Sequence, residues 1–166
     1  MENLTKNRAW KIRSNYQSPQ DIDRLRSGLV TVVYEVSGLR LSMSRVDIEK
    51  IVRQSYKSST EKRISAHTGQ IYRLLNEVKA GDLAVVPVNK GNSILLGRIT
   101  ETVQISGSGV ISLGMTLLRE GVSLKEFDQD LRYSFMAIMK FCEIRRNNAF
   151  SRLEKIAQGS NKPLCS

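Results

Sequence analysis

The segment from Ile64 to Pro87 constrains the fold of this chain most strongly, and its first residues are predicted to form a short polar loop. Thr68 is a suitable N-cap for a helix, and Gly81 is a suitable stop for the same helix. Between them, four apolar residues recur at the spacing of one helical face: Ile71, Leu74, Leu75 and Val78. The apolar run from Leu83 that follows is typical of a buried strand. The segment therefore predicts a helix that leads directly into a buried strand.

The rest of the chain alternates helical and strand patterns in the same way. Strands are predicted at residues 9–13, 29–34, 83–88, 93–103 and 131–143. Helices are predicted at residues 18–28, 44–55, 68–80 and 149–158, with a polar loop at 56–67 and a strand followed by a helical turn at 110–130. This mixture predicts an α+β fold, with a small curled sheet or β-barrel surrounded by short helices.

Length and composition predict one folded domain in a reducing compartment. The 166 residues divide into a disordered N-terminus at 1–7, a single domain at 8–159 and a flexible tail at 160–166. The two cysteines, Cys142 and Cys165, suggest neither a disulfide framework nor a zinc site. The chain shows no signal-peptide pattern and no apolar run near the ~20 residues that span a bilayer. A cytoplasmic protein is expected.

The charge balance favours a polyanionic partner. The chain has 26 Lys and Arg against 16 Asp and Glu, a net charge of +10. The surplus is spread along the chain, which indicates a basic folded surface instead of a basic arm. Nucleic acid is favoured over an anionic membrane, because membrane binding usually needs a lipid anchor or a basic amphipathic helix as well.

Catalytic and metal motifs are poorly represented. The single histidine, His67, has no nucleophile motif around it, and no His/Cys cluster or glycine-rich phosphate loop occurs, so no catalytic residue, metal or cofactor is expected. Glu77 and Lys79 match the Glu-x-Lys element of magnesium nucleases, but here they follow a helix instead of lying on a strand. A nuclease therefore remains a minor alternative. Asp82, next to Gly81, is assigned to turn geometry.

Aromatic and basic residues are interleaved along the chain. The aromatic residues near predicted loops or strand ends are Trp10, Tyr16, Tyr34, Tyr56 and Tyr72; the basic residues among them are Lys11, Arg13, Lys57, Arg63 and Arg73. Aromatic rings can stack on nucleobases while basic side chains hold phosphates. The competing interpretation is that Trp10 and Tyr34 anchor the core, and the residues alone leave both open.

Several stretches resemble the PUA-like domains related to the EVE and YTH families, and most of all the N-terminal domain of Mrr-type restriction proteins. The stretches are Ala9-Trp-Lys-Ile-Arg13, Gly28-Leu-Val-Thr-Val-Val-Tyr34, Thr68-Gly-Gln-Ile-Tyr-Arg-Leu74 with Val78-Lys-Ala-Gly-Asp-Leu-Ala-Val-Val86, Leu96-Gly-Arg-Ile-Thr100, and the stretch from Asp130 to Phe141. The resemblance covers about residues 8–158. Tyr34 and Phe141 replace tryptophans of that group, and Glu101 stands where a glycine often occurs.

The resemblance implies a module that binds modified nucleotides without altering them. It implies a base pocket between the barrel and the helix near Thr68, formed by Trp10, Tyr34, Thr68, Gly69 and Gln70. Lys11, Arg13, Lys57, Arg63 and Arg73 would contact the nucleic-acid backbone.

The expected ligand is double-stranded DNA with a flipped methylated or hydroxymethylated cytosine, in a bacterial restriction or defence setting, with a nuclease or other effector as a possible partner domain. The alternative is an RNA-binding module for modified or structured RNA.

Overall fold

The computed structural model describes residues 7–13, 19–88, 91–106, 109–137 and 139–159. The strands are β1 (Ala9–Ile12), β2 (Leu29–Val33), β3 (Leu83–Val88), β4 (Ser93–Ile105), β5 (Val110–Ser123) and β6 (Phe141–Glu143). The helices are α1 (Pro19–Arg26), α2 (Arg45–Ser55), α3 (Glu61–Asn76), α4 (Gln129–Phe135) and α5 (Ala149–Gln158), and a short 3-10 turn lies at Leu124–Glu126. The fold is α+β, as predicted.

All six strands belong to one mixed sheet in the order β2-β5-β4-β3-β1-β6. β1 and β3 are parallel, with Trp10 opposite Ala84, and the other neighbours are antiparallel. The register between the two long strands β4 and β5 shifts at several points, one of them between Ile99 and Glu101. Such irregularities increase local twist, and the sheet curls strongly into a half-barrel.

Helices α2 and α3 pack on each other and join the sheet in the larger core cluster. Each begins at a hydroxyl cap: the Ser44 side chain accepts a hydrogen bond from the Asp47 N–H, and Thr60 accepts one from Arg63 N–H. Ile64, Ile71, Leu74 and Leu75 on α3 join the larger core cluster. A second cluster lies under α4 and α5 and includes Phe127, Leu131 and Leu153.

Two predicted boundaries are wrong. α3 begins at Glu61, so most of the predicted polar loop at 56–67 is helix. The predicted strand at 131–143 is instead helix α4 at its start and strand only over β6. The hairpin of β3 and β4 is confirmed, as are the strands near Trp10 and Val30 and the helix ends near Gly28 and Gly159. Ser18, residues 1–6 of the predicted N-terminal segment at 1–7, and the predicted tail at 160–166 lie outside the described residues.

Candidate nucleic-acid interface

Trp10 lies in the core and has no exposed ring face. Its relative exposure is 0%, and its ring stacks on Phe141 with centroids 4.9 Å apart and an angle of 13° between the planes. The Arg8 guanidinium lies 5.6 Å from the centroid of the Trp10 ring. This environment matches the core-anchor interpretation of Trp10 and differs from the base-stacking position implied by the resemblance.

The indole N–H of Trp10 donates to a buried carboxylate. Its acceptor is Asp82 Oδ2, at 2.9 Å. The same side chain also accepts backbone N–H groups from Arg8 and Lys79, each at 3.0 Å. Asp82 therefore closes the turn before β3, as the sequence predicts, and also ties that turn to β1.

Tyr34 and Gln70 form a buried polar pair under α3. The Tyr34 hydroxyl donates to Gln70 Oε1 at 2.7 Å, and both residues are almost fully buried. Burial raises the pKa of Tyr34 far above its ordinary value, so the hydroxyl stays protonated and acts as the donor. The bond occupies the Gln70 carbonyl oxygen and leaves the amide nitrogen as the group that can donate to a ligand.

Lys140 covers the Tyr34 ring. Its ammonium lies 5.2 Å from the ring centroid and donates to the backbone oxygen of Val33 at 2.6 Å. A hydrogen bond also fixes the Tyr34 backbone, because its N–H donates to Gly109 O at 3.1 Å. Gly109 has a φ of +87°, and a Cβ there would collide with the carbonyl oxygens of Tyr34 and Val36, so this position requires glycine.

Thr68, Gly69 and Gln70 lie inside α3, so the prediction that Thr68 caps the helix is wrong. The Thr68 hydroxyl donates to Ile64 O at 2.8 Å, one turn earlier in the helix. The apolar periodicity reveals only the second half of α3, because the residues of its first two turns are mostly polar and exposed. All three residues are buried within α3 instead of lying in a loop before a helix.

Lys11 differs from its predicted position on the surface. Its side chain is buried, and its ammonium donates to the carbonyl oxygens of Ala137, at 2.6 Å, and Met139. Burial lowers its pKa. Lys11 therefore holds the segment after α4 against β1 and cannot contact a phosphate from this position.

The other four predicted phosphate contacts reach the surface. Arg13 is exposed just after β1, and Lys57 is exposed in the turn between α2 and α3. Arg63 is exposed on the first turn of α3, and Arg73 is half-buried on its last turn. Because a helix turns about 100° per residue, Arg63 and Arg73 lie within roughly one quarter of its circumference.

Carboxylates neutralise some of the arginines of this protein and not others. The paired arginines lie within 3.0 Å of carboxylates: Arg26 with Glu120, Arg53 with Glu49 and Glu61, Arg98 with Glu154, Arg119 with Glu126, and Arg152 with Asp128 and Asp130. Over the described ranges, no carboxylate oxygen lies within 4.0 Å of Arg45, Arg63 or Arg73, and the same holds for Arg24, Arg40, Arg132 and Arg146 on other parts of the protein. We refer to Arg45, Arg63, Arg73 and Lys140 as the α3 basic face.

His67 and Tyr56 form an aromatic stack beside this face. Their ring centroids are 4.7 Å apart, with 19° between the planes, and both residues are half-buried. The buried Nδ1 of His67 has no hydrogen-bond partner in the described part of the chain. Burial lowers the pKa of His67, and the positive charges of Lys140 and Arg63 lower it further. The imidazole is therefore held neutral next to cationic groups.

Glu77 and Lys79 line a separate cleft of about 950 Å³ between α3 and the start of α5. Glu77 is the C-cap of α3, as predicted, and its carboxylate lies 2.6 Å from Arg8 Nη1. The Lys79 ammonium lies 3.7 Å from Asp82. Among the described residues, no group of three His, Cys, Asp or Glu side chains is placed to hold a metal ion.

Sequence reasoning did not include Arg45, His67 and Lys140 in the site. They come from α2, α3 and the segment before β6, so only the tertiary fold brings them together. Two features of the sequence could have pointed to these residues. The Ser44 cap fixes Arg45 as the first residue of α2, and Tyr56 is an aromatic residue close to His67 in the chain. Tyr16 lies outside the described residues, and Tyr72 packs against the larger core cluster.

No protein-family model matches this chain, and a search of curated proteins finds no match. The described residues contain no helix with both the length and the apolar character needed to cross a bilayer.

Proposed function

We propose that this chain is a non-catalytic DNA-binding module that recognises a modified base. The α3 basic face is the observation that carries this proposal. Arginines that lack carboxylate partners repel one another and attract polyanions, and neutralising phosphates with them releases counterions from the duplex. A methylated or hydroxymethylated cytosine in double-stranded DNA is the proposed ligand, in a bacterial restriction or defence setting.

The proposed base site lies between the His67–Tyr56 stack and the Tyr34–Gln70 pair. A flipped base can stack on the aromatic side chains at the edge of this site while Gln70 donates to its hydrogen-bonding edge. Tyr34 and Gln70 are buried, so base entry requires α3 or the Lys140 segment to move. Trp10 supports this site from within the core through Phe141 and Asp82.

The resemblance to PUA-like EVE and YTH domains supports the same proposal. A curled mixed sheet with short helices around it is compatible with that family, and the helix that carries Gly69 and Gln70 packs over the sheet. A nuclease or other effector would act as a partner domain. The ion pair between Glu77 and Arg8 disfavours the magnesium-nuclease alternative, because a metal would have to compete with the guanidinium for the carboxylate.

Binding to matched duplexes tests this function. Fluorescence anisotropy would compare duplexes with cytosine, 5-methylcytosine, 5-hydroxymethylcytosine or N6-methyladenine, together with an RNA of the same sequence, at two salt concentrations. A preference for a modified cytosine would support the proposal. Equal, strongly salt-dependent affinity for all duplexes would overturn base recognition, and a preference for RNA would favour the alternative module.

A further inference from the structure

Two guanidinium groups from different helices converge on Gly69. The position that a Cβ would take at Gly69 lies 3.6 Å from Arg45 Nη2, 3.7 Å from Arg45 Nη1 and 3.6 Å from Arg73 Nη1. Arg45 is the first residue of α2, and Arg73 lies one turn beyond Gly69 on α3. Side chains on a helix lean toward its N-terminus, which directs Arg73 back over Gly69.

The convergence places two positive charges around one point without a neutralising group. No carboxylate oxygen lies within 4.0 Å of either guanidinium in the ranges that the structure describes. Like charges held together repel each other, and an anion placed between them removes that repulsion. Both nitrogens of Arg45 face the point, which suits the two-pronged hydrogen bonding that arginine makes with phosphate.

Gly69 itself has no local structural need to be glycine. It lies inside α3, where glycine destabilises a helix relative to alanine. A Cβ would make only ordinary van der Waals contacts with the two guanidiniums, so alanine would fit. Glycine is therefore the less stable choice at this buried position, and the lack of a side chain lets both guanidiniums lie close to the helix backbone, where one anion could accept from both.

We propose that Arg45, Gly69 and Arg73 form a seat for one phosphate group, called the Gly69 seat below. The inference rests on the proposed function, which supplies the phosphate as part of a DNA backbone. A phosphate fits better than a carboxylate, because its tetrahedral oxygens can accept from both guanidiniums at once. The seat would fix the register of the duplex on α3, one turn from Gln70.

The key variant is Gly69→Ala, which places a methyl group beneath the two guanidiniums, next to the proposed anion, and keeps both arginines. We expect its affinity for duplex DNA to fall about tenfold and the magnitude of its salt slope to decrease by about one unit, as for the loss of one phosphate contact. Its thermal unfolding midpoint should equal or exceed that of the original chain, since alanine favours the helix. Ser151→Ala is the matched control, because Ser151 is an exposed residue of α5, a helix that packs on the second core cluster.

Double variants test whether the three residues act together. Arg45→Gln and Arg73→Gln should each weaken DNA binding, and adding Gly69→Ala to either should cause little further loss. Fully additive losses would overturn a shared seat. Unchanged affinity and salt slope in a folded Gly69→Ala protein would also overturn it, and would leave the proposed function intact if the original chain binds DNA.

Inorganic phosphate provides a test that needs no DNA. At matched ionic strength, phosphate should raise the unfolding midpoint of the original chain more than chloride does, and this difference should be smaller in Gly69→Ala, where only the general stabilising effect of phosphate remains. An equal difference in the two proteins would overturn the seat. If phosphate stabilisation depends on Gly69 but duplex affinity does not, the seat takes free phosphate and its assignment to the DNA backbone is overturned. Absence of DNA binding by the original chain would overturn the proposed function. The phosphate measurement would still show whether Arg45, Gly69 and Arg73 bind a phosphate group.

Discussion

Asp82 is the residue on which the polar contacts at the start of β1 converge. It is completely buried and accepts hydrogen bonds from the Trp10 indole and two backbone N–H groups. Asp82→Ala would leave these buried donors without an acceptor, so we expect a loss of about 3 kcal/mol in the free energy of unfolding. Urea unfolding followed by tryptophan fluorescence measures this loss directly, because Trp10 is the only tryptophan.

A surface aspartate provides the control for Asp82→Ala. Asp23 on α1 is 73% exposed and lies 3.6 Å from Arg26, so Asp23→Ala should change the free energy of unfolding by less than about 0.5 kcal/mol. Similar losses in the two variants would contradict the proposed importance of Asp82.

His67 should make the protein sensitive to acid. Its pKa in the folded protein is below the ordinary 6.5, so the unfolded chain takes up its proton first as the pH falls. Its stabilising contribution is present above pH 6.5 and is lost as the pH falls from there through the lowered folded pKa. Unfolding midpoints measured between about pH 7.5 and pH 5.5 should therefore fall less for His67→Gln than for the original chain. If the unfolding midpoints of the two proteins fell equally with pH, His67 would not be a source of the acid sensitivity.

A bound phosphate should reverse the effect of acid on His67. An anion on the α3 basic face offsets the repulsion from Lys140 and Arg63 and so raises the pKa of His67. DNA affinity should then increase as the pH falls below about 6.5, and His67→Gln should remove part of this increase. Equal pH dependence of binding in both proteins would place His67 away from the anion.

At the scale of elements, two threonines test where α3 begins. The Thr60 side chain accepts a hydrogen bond from the Arg63 N–H at 3.2 Å, so Thr60→Ala should lower the free energy of unfolding by about 1 kcal/mol. Thr60→Ser keeps a hydroxyl at this position and should therefore keep most of the stability that the cap provides. Thr68→Val keeps the shape of a buried side chain and removes only a hydroxyl that bonds within the helix, so a smaller loss is expected. A larger loss for Thr68→Val in urea unfolding would favour a helix start at Thr68.

The incorrect element boundaries have a common physical origin. A polar, exposed half of a helix carries no apolar periodicity, so residues 61–67 resembled a loop although Thr60 is a good cap. Leu131 and Phe135 are compatible with both a strand period of two and a helix period of about 3.6. In the structure these two residues are buried while Tyr133 between them is exposed, which is consistent with the helix.

At the scale of the whole molecule, the distribution of ion pairs should be visible in salt dependence. Arg63→Gln removes an arginine of the α3 basic face and should reduce the magnitude of the salt slope for DNA binding by about one unit. Arg26→Gln removes the same charge from a pair with Glu120, 2.8 Å apart, and should leave the slope unchanged. Equal slopes for the two variants would show that net charge, not its position, governs binding.

Local sequence explains where some candidate site residues lie and does not explain others. Arg63 and Arg73 were named from the interleaving of aromatic and basic residues, and Gly69 and Gln70 from the resemblance. All four lie on one helix, where local sequence sets their spacing. The burial of Trp10 and Lys11 depends on β3 and β6, which flank β1 on either side. The approach of Arg45 to Gly69 depends on the crossing of two helices, so no local pattern could predict it.

The position of β1 in the sheet has a consequence for biosynthesis. β1 is an early strand, but it lies between β3 and β6, and β6 is synthesised after the other five strands of the described sheet. Until then, the β1 edge that pairs with Phe141 and Cys142 remains open to other chains. Translation that stalls before residue 141 should therefore yield a nascent polypeptide prone to aggregation, and chaperones that cover open strand edges should be recruited late in synthesis.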